Sequence, residues 1–444
     1  LQYPLFSYRE IWKISYPIII GLVAQNAMLV IDTAFLGRVS EVTLGAAAIG
    51  GVFYLCLVML GTGFSIGAQI MMGRRNGEGR TKEIGRVFDH TQIFLVIIAA
   101  IIWFLLNFAA PVFLEFFISS PAVLEESLVF LQYRQYGLLF GFLVLGFNAL
   151  YVGTTRTKVL SMSTIVMASF NILLDYLLIF GNYGFPELGI AGAAIATNFA
   201  EFFTFVFYII WIWKRGNIWL YGTFKLRRFD LRLIQRLLKL SVPLMFQYFF
   251  SYSAWFVFFL IIEQIGETAL AASNITRSIY MVLMIPVWGL SAAVNTLVSN
   301  TIGRGRPELV LPLIKKIFIL GTGITFLLVQ LILWAPYPII SFYTQSQPLI
   351  NETVPLLRVI SMALIAFSFG MIYFNGLSGT GKTMLALKIE ILAITFYLLT
   401  ALFLAFYLNA SAIVVWLVEI LYFSAMGLFA LIALKKGAWK TLDL

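Results

Sequence analysis

The sequence predicts an all-α polytopic membrane protein: twelve transmembrane helices in two six-helix lobes, related by a pseudo-two-fold axis along the membrane normal. Three observations predict it. The 444 residues are 61% hydrophobic and only 11% charged, whereas soluble domains carry about 25% charged residues. Twelve apolar runs are long enough to cross a bilayer, which takes ~20 residues at ~1.5 Å each. The two halves of the chain also repeat one another at a constant offset.

The apolar runs place spans near 11–36, 44–73, 88–111, 127–152, 158–181, 189–213, 240–263, 269–301, 313–335, 354–378, 384–408 and 411–434. The net charge of +10 does not point to nucleic acid, because the basic residues fall in the gaps between spans. All but Arg38, Arg134, Arg277 and Arg358 lie in alternate loops or at the termini, and the other loops carry Glu125, Glu126, Glu187, Glu267 and Glu352. By the positive-inside rule both termini are expected in the cytoplasm, which for a prokaryote means the inner (cytoplasmic) membrane. No cleavable signal peptide is expected, and the missing initiator Met suggests a trimmed terminus. The lone Cys56 cannot form an internal disulfide.

The repeat has an offset of 226 residues. Lys13-Ile-Ser15-Tyr-Pro17 returns as Lys239-Leu-Ser241-Val-Pro243, and Gly63-x-Ser65 with Gln69 returns as Gly289-x-Ser291 with Asn295. Glu41-x-x-Leu44 returns as Glu267-x-x-Leu270, and Gly153-Thr154-x-Arg156-Thr157 as Gly379-Thr380-x-Lys382-Thr383. Six spans per half is an even number, so both halves enter the membrane with the same orientation. The expected division is a first lobe over 1–213, a basic cytoplasmic linker over 214–239 and a second lobe over 240–444. The linker's charge suits an anionic lipid surface.

The chemistry is expected where the halves differ. The first span carries Pro17, Gln25 and Asp32; Gln25 and Asp32 are seven residues apart and share a helix face. Pro17 removes a backbone donor and marks a bend. The fifth span carries Asn171 and Asp175 on one face, at i and i+4. Asp32 and Asp175 lie at similar depth below the outer ends of their spans, and Thr197 in the sixth span adds a hydroxyl there. Two carboxylates in a low-dielectric pocket must share a proton or take up a cation. The repeat partners of Asp32, Asn171 and Asp175 are Phe258, Tyr397 and Ala401. On this reading the buried carboxylates belong to the first half only.

Other polar residues in the spans have structural readings. Arg134, Arg277 and Arg358 are expected to snorkel or to pair between helices. Asp89 and His90 suit a capping or interfacial role. Glu201 either extends the acid network or packs helices, and Glu390 and Glu419 are expected to be structural. The stretch Gly376 to Thr383 matches the G-x-x-x-x-G-K-T phosphate-loop spacing but ends a membrane span, which excludes a nucleotide site. Gly63-x-x-x-Gly67 and Gly137-x-x-x-Gly141 are small-residue faces read as intramolecular packing, consistent with a monomer. No nucleophile–base set points to an enzyme, and no cofactor is implied.

Taken together, Pro17–Gln25–Asp32-Thr33-x-Phe35-x-Gly37-Arg38, Asn171-x-x-x-Asp175-x-x-Leu178-Ile-Phe-Gly181, Gly192-Ala-Ala-x-Ala-Thr197 and the Gly-Thr-x-Arg/Lys-Thr span ends resemble multidrug and toxic compound extrusion (MATE) transporters. The resemblance implies two lobes that alternate access and export of varied, often cationic small molecules in exchange for H⁺ or Na⁺. It implies a cation or proton site at Asp32, Asp175, Asn171 and Thr197, with Na⁺ possible there, and a substrate cavity lined by Gln25, Asn148 and Asn171. The span at 354–378 holds no acid, which resembles the DinF-like branch. The alternative is a flippase for lipid-linked precursors or polysaccharides, from the wider superfamily. That protein would need a cationic cleft, and Arg134 keeps the option open.

Overall fold

The computed structural model describes residues 6–118, 120–215, 217–225 and 230–440. Among these residues it is all-α, with twelve helices long and apolar enough to cross a membrane. We number them α1 (Tyr8–Val39), α2 (Glu41–Gly77), α3 (Thr81–Phe108), α4 (Pro121–Gly153), α5 (Lys158–Leu178) and α6 (Gly189–Lys214) in the first half. The second half holds α7 (Leu231–Glu263), α8 (Glu267–Gly303), α9 (Pro307–Trp334), α10 (Gln347–Gly379), α11 (Thr383–Tyr407) and α12 (Ala412–Lys436). The expected twelve-helix class is the class found.

The helix ends follow from local chemistry. At the start of α1 the Ser7 hydroxyl accepts from Glu10 N (3.2 Å), and the Glu10 carboxylate accepts from Ser7 N (2.7 Å), a reciprocal capping box. Ser40 caps α2 by accepting from Thr43 N at 2.9 Å. α12 ends on Gly437, whose φ of 72° few side chains tolerate. Side chains such as Leu29, Val30, Phe104, Leu327 and Leu331 are exposed, as expected of faces solvated by lipid tails rather than water.

The chain forms two compact units, and they do not follow chain order alone. One comprises residues 20–245; the other comprises 1–19 with 246–444. Each unit therefore takes the start of a helix whose remainder lies in the other. The repeat explains how. In the first unit, a Cβ on Gly63 would sit 2.5 Å from the backbone of Met245, and one on Gly67 would sit 2.0 Å from the Ser241 hydroxyl. In the second, a Cβ on Gly289 would sit 2.4 Å from Ile19. Gly63 and Gly289 are repeat partners, and so are Met245 and Ile19, so one close approach is built twice. Two central helices hold the second unit: 67% of the most apolar stretch of α8 and of α10 is buried, against 28% for α7 and α9. α4, at 61%, has that place in the first unit.

Within the first unit a buried ion pair pins α4 to α6. Arg134 donates to both oxygens of Glu201, at 3.0 Å for Oε2, and to Asn198 Oδ1 at 2.8 Å. Its guanidinium also lies over the Tyr54 ring, 4.5 Å from the centroid. Both charged residues are 7% exposed. Gly137 and Gly141 make room: a Cβ on Gly137 would sit 2.6 Å from Glu201 Oε2, and one on Gly141 3.0 Å from its Oε1. The small-residue face read from the sequence as helix packing thus accommodates a carboxylate. Arg134 pairs rather than snorkels. Arg277 is half-buried over the Phe259 ring at 4.9 Å, and Arg358 is exposed.

The linker is anchored on α3. Asp89 accepts from the backbone N–H groups of Phe224 (2.8 Å) and Lys225 (3.1 Å). His90 Nε2 accepts from Asp230 N at 3.0 Å, so Nδ1 is the protonated nitrogen and donates to Arg86 O at 2.8 Å. Gly85 allows the approach: a Cβ there would sit 2.2 Å from Tyr221 O. Residues 226–229, which include two of the linker's arginines, lie outside the described residues, as does Gly216.

Two measurements check this packing. Gly63→Ala places a methyl against backbone and is expected to cost about 1–3 kcal/mol, lowering the detergent-solubilised melting temperature. Gly51→Ala, with no atom within 4 Å of the new Cβ, is expected to leave it unchanged or slightly raised; equal melting temperatures for the two variants would contradict the close approach. Glu201→Leu leaves Arg134 buried without its partner and is expected to cost about 3–5 kcal/mol, most of it recovered in the double variant Arg134→Met/Glu201→Leu. Additive losses would mean the two side chains act separately.

Candidate functional site

The C-terminal part of α1, the last two turns of α5 and the start of α6 build one polar pocket in the first unit. The connection from α5 to α6 sets their spacing. Gly181 turns the chain with φ of 68°, and Leu188 N then donates back to Leu178 O at 2.9 Å. A Cβ on Gly192 would sit 2.6 Å from Leu178 O, so the small residues that open α6 let it lie directly on the end of α5. That contact brings Thr197 to Asn171. Asn171 Nδ2 donates to Thr197 Oγ1 at 3.2 Å, and Thr197 donates to Ala193 O at 3.0 Å.

Asp175, one turn above Asn171, is fully buried, as is Asn171 itself; Asp32 is half-buried. The Asp32 and Asp175 carboxyls lie close enough to act on one another. Two neighbouring carboxylates in a low-dielectric pocket cannot both stay ionised and unpaired. The remaining demand is one-sided. Asp32 Oδ1, Asn171 Oδ1 and both oxygens of Asp175 are buried and receive no hydrogen bond from any described protein group. All four are acceptors. Thr197 donates to Ala193 O and the Asn171 amide donates to Thr197 rather than to these oxygens, and Arg134 is bonded to Glu201 and Asn198. Such a set can be satisfied by a proton or by a hard cation with oxygen ligands. Carboxylate, amide and hydroxyl oxygens fit Na⁺ as well as H⁺.

The other residues singled out in the sequence lie elsewhere. Gln25 is exposed on α1. Asn148 joins a separate chain: Tyr208 donates to its Oδ1 at 2.5 Å, and the Tyr208 hydroxyl lies 2.7 Å from Ser163 Oγ. Ser163 stands twelve residues before Asp175 on α5, about 18 Å along the helix, so this cluster is distinct from the acid pocket. Tyr208 and Ser163 were not singled out in the sequence, and isolated hydroxyls in apolar spans gave no signal for them. Pro17 is buried within an uninterrupted α1, two residues before the chain passes from one compact unit to the other.

One expectation is corrected. Buried carboxylates are not confined to the first half: Glu390 on α11 and Glu419 on α12 are each 2% exposed. The repeat comparison missed them because neither falls on the partner position of Asp32 or Asp175. The position that does carry a signal is Tyr397, the partner of Asn171, which donates to Glu419 at 2.8 Å.

Comparison with known proteins agrees with this architecture. The MatE family model matches the chain twice, over residues 17–177 and 243–404, so the two matches begin at Pro17 and at its repeat partner Pro243. A probable multidrug resistance protein NorM from Thermotoga maritima is 27% identical over 398 residues, covering 87% of this chain and 83% of the relative. A MOP superfamily transporter from Pyrococcus furiosus superposes with a TM-score of 0.90 at 18% identity, covering 98% and 97% of the two chains. A MATE crystallised in the bent conformation superposes with a TM-score of 0.87 at 19% identity, covering 96% of each. With both of its halves matched by the family model, this multi-pass membrane chain belongs to the MATE family of multidrug efflux transporters and is not an enzyme.

Proposed function

We propose that the chain is an antiporter that exports varied, often cationic small molecules in exchange for H⁺ or Na⁺, and that the Asp32–Asp175 pocket is its coupling site. The observation that carries this reading is the set of four buried acceptor oxygens with no donor. A pocket of that kind is stable only when it holds positive charge. It therefore has two states, loaded with the coupling ion or emptied in favour of a cationic substrate. Linkage makes the exclusion mutual: whatever the ion does to substrate affinity, the substrate does to ion affinity. One pH unit then supplies about 1.4 kcal/mol per proton exchanged.

Pro17 is proposed as the place where α1 bends when the carboxyls are neutralised; a relative is described as being in the bent conformation, which supports the idea. Gln25, Asn148 and Asn171 are proposed as substrate contacts. The basic loops support an inner (cytoplasmic) membrane location of the monomer with both termini in the cytoplasm. The lack of an acid in α10 after Glu352 supports a place in the DinF-like branch. The flippase reading needed a free cation for a pyrophosphate group. Arg134, the residue that kept it open, is engaged by Glu201, which favours the antiporter.

The test is export in proteoliposomes under separately imposed pH and Na⁺ gradients. Asp32→Asn and Asp175→Asn are each expected to cut gradient-driven export at least about tenfold, since either loss removes about 1.4 kcal/mol or more of ion binding. Wild-type rates in both variants would end this reading. The gradient that drives the wild type identifies the ion.

A further inference from the structure

Where α10 ends, α11 begins and α12 ends, the second half holds a cavity of about 280 Å³, lined by Leu377, Leu385, Ala433 and Trp439 together with Lys382 and Lys388. It forms because the chain folds back after α12. Gly437 turns it with φ of 72°, Trp439 tucks in at 1% exposed, and its indole N–H donates to Leu434 O at 2.9 Å. That bond satisfies one of the carbonyls left open at the end of α12. The antiport reading uses none of these residues.

The lining divides by chemistry. Its walls are apolar, and on α11 they open outward: Met384 is 53% exposed and Leu385 37%. Its charged members are two ammonium groups. Among the described residues neither Lys382 nor Lys388 makes an ion pair, and neither do Lys435 and Lys436 in the last turn of α12. Cations gathered at one corner without a counter-charge of their own attract an anion. Lys388 lies about one and a half turns into α11, a depth at which a lysine stem runs along apolar surface while its head reaches the polar end.

The repeat does not build this place twice. Arg156, the partner of Lys382, lies over the Tyr221 ring of the linker at 5.4 Å, and the partner of Lys388 is Met162. Lys382 is also the lysine of the phosphate-loop spacing from Gly376 to Thr383, which ends a membrane span and so lacks the strand a nucleotide loop needs. What that spacing does supply is an ammonium group beside an apolar cavity. A soluble phosphate would meet the lysines and leave the walls wet. A phospholipid with a net negative headgroup meets both, phosphate on the ammonium groups and hydrocarbon on the walls. The cavity is close to the lower bound of roughly 300 Å³ for small-molecule sites, so it takes the part of one lipid nearest the headgroup and leaves the rest of the chains in the bilayer.

We propose that this cavity is a binding site for one anionic phospholipid, with Lys382 and Lys388 on the headgroup phosphate and Leu377, Leu385, Ala433 and Trp439 around the start of an acyl chain. A lipid seated there touches the end of α10, the start of α11 and the tail behind α12 at once. The site stands apart from the Asp32–Asp175 pocket, and the proposal does not rest on that pocket being a coupling site.

The experiment is native mass spectrometry of the full chain in detergent, titrated with phosphatidylglycerol or with phosphatidylcholine of the same acyl chains. A lysine near a headgroup is worth about fivefold in affinity, so the first phosphatidylglycerol is expected to bind at least about tenfold tighter than the first phosphatidylcholine. Lys382→Gln/Lys388→Gln should erase that preference. Lys435→Gln/Lys436→Gln removes the same charge beside the cavity rather than in it, and should keep most of the preference. No preference in the wild type, or equal losses in the two double variants, overturns the proposal, since charge spread over the surface would then explain the binding. Ala433→Phe fills the cavity and should weaken both lipids; if both bind as before, the lipid sits elsewhere and the assignment fails. Millimolar inorganic phosphate should leave phosphatidylglycerol in place, and its displacement would make the site one for soluble phosphate instead.

Discussion

A carboxyl group in hydrocarbon has few stable arrangements, and the interior of this protein is organised by which one each acid adopts. Water is absent, so an ionised oxygen must face a cation, several hydrogen-bond donors or a proton. Glu201 takes the first solution, clamped by Arg134 and relieved of steric pressure by Gly137 and Gly141. Asp89 takes the second near the start of α3, where two backbone N–H groups of the linker close over it. Asp32 and Asp175 have neither. Asp32 Oδ1 and both Asp175 oxygens are buried without a hydrogen bond from any described group.

The scaffold around these acids is a duplicated one, and duplication accounts for more than the helix count. The same small residue, Gly63 and then Gly289, receives the same incoming backbone, Met245 and then Ile19. Because each incoming segment comes from the opposite half of the sequence, neither unit is completed by its own six spans. The early turns of α1 and α7 are structural parts of one unit and covalent continuations of the other.

Much of this was legible in the residues. Span number followed from apolar length, and the repeat from a few spaced Gly, Ser and Pro residues whose spacing the family model independently reproduces. The meeting of Asp32 with Asp175, and of Asn171 with Thr197, was readable because depth along a helix is linear in residue number and small residues at the start of α6 announce a close contact. What stayed hidden depends on rotation of one helix about its axis relative to another. Arg134 with Glu201, 67 residues apart, and Tyr208 with Asn148, 60 apart, share no periodic signal. Glu390 and Glu419 were visible as residues but not as a cluster, since hydroxyl partners such as Ser251 and Tyr422 carry no charge to betray them.

The Arg134–Glu201 pair also bears on how the molecule meets an electric field. Opposite charges locked to each other sum to zero, so a membrane voltage exerts no net force on them. The variable charge in the acid pocket of the first half is then whatever Asp32 and Asp175 hold. Moving one elementary charge through the full potential is worth about 2.3 kcal/mol per 100 mV. A neutral cargo traded for one proton would draw on that reservoir, whereas a monovalent cation traded for one proton would leave it untouched. Two cargoes of similar size could thus be exported at one rate in a depolarised vesicle and at different rates in an energised one.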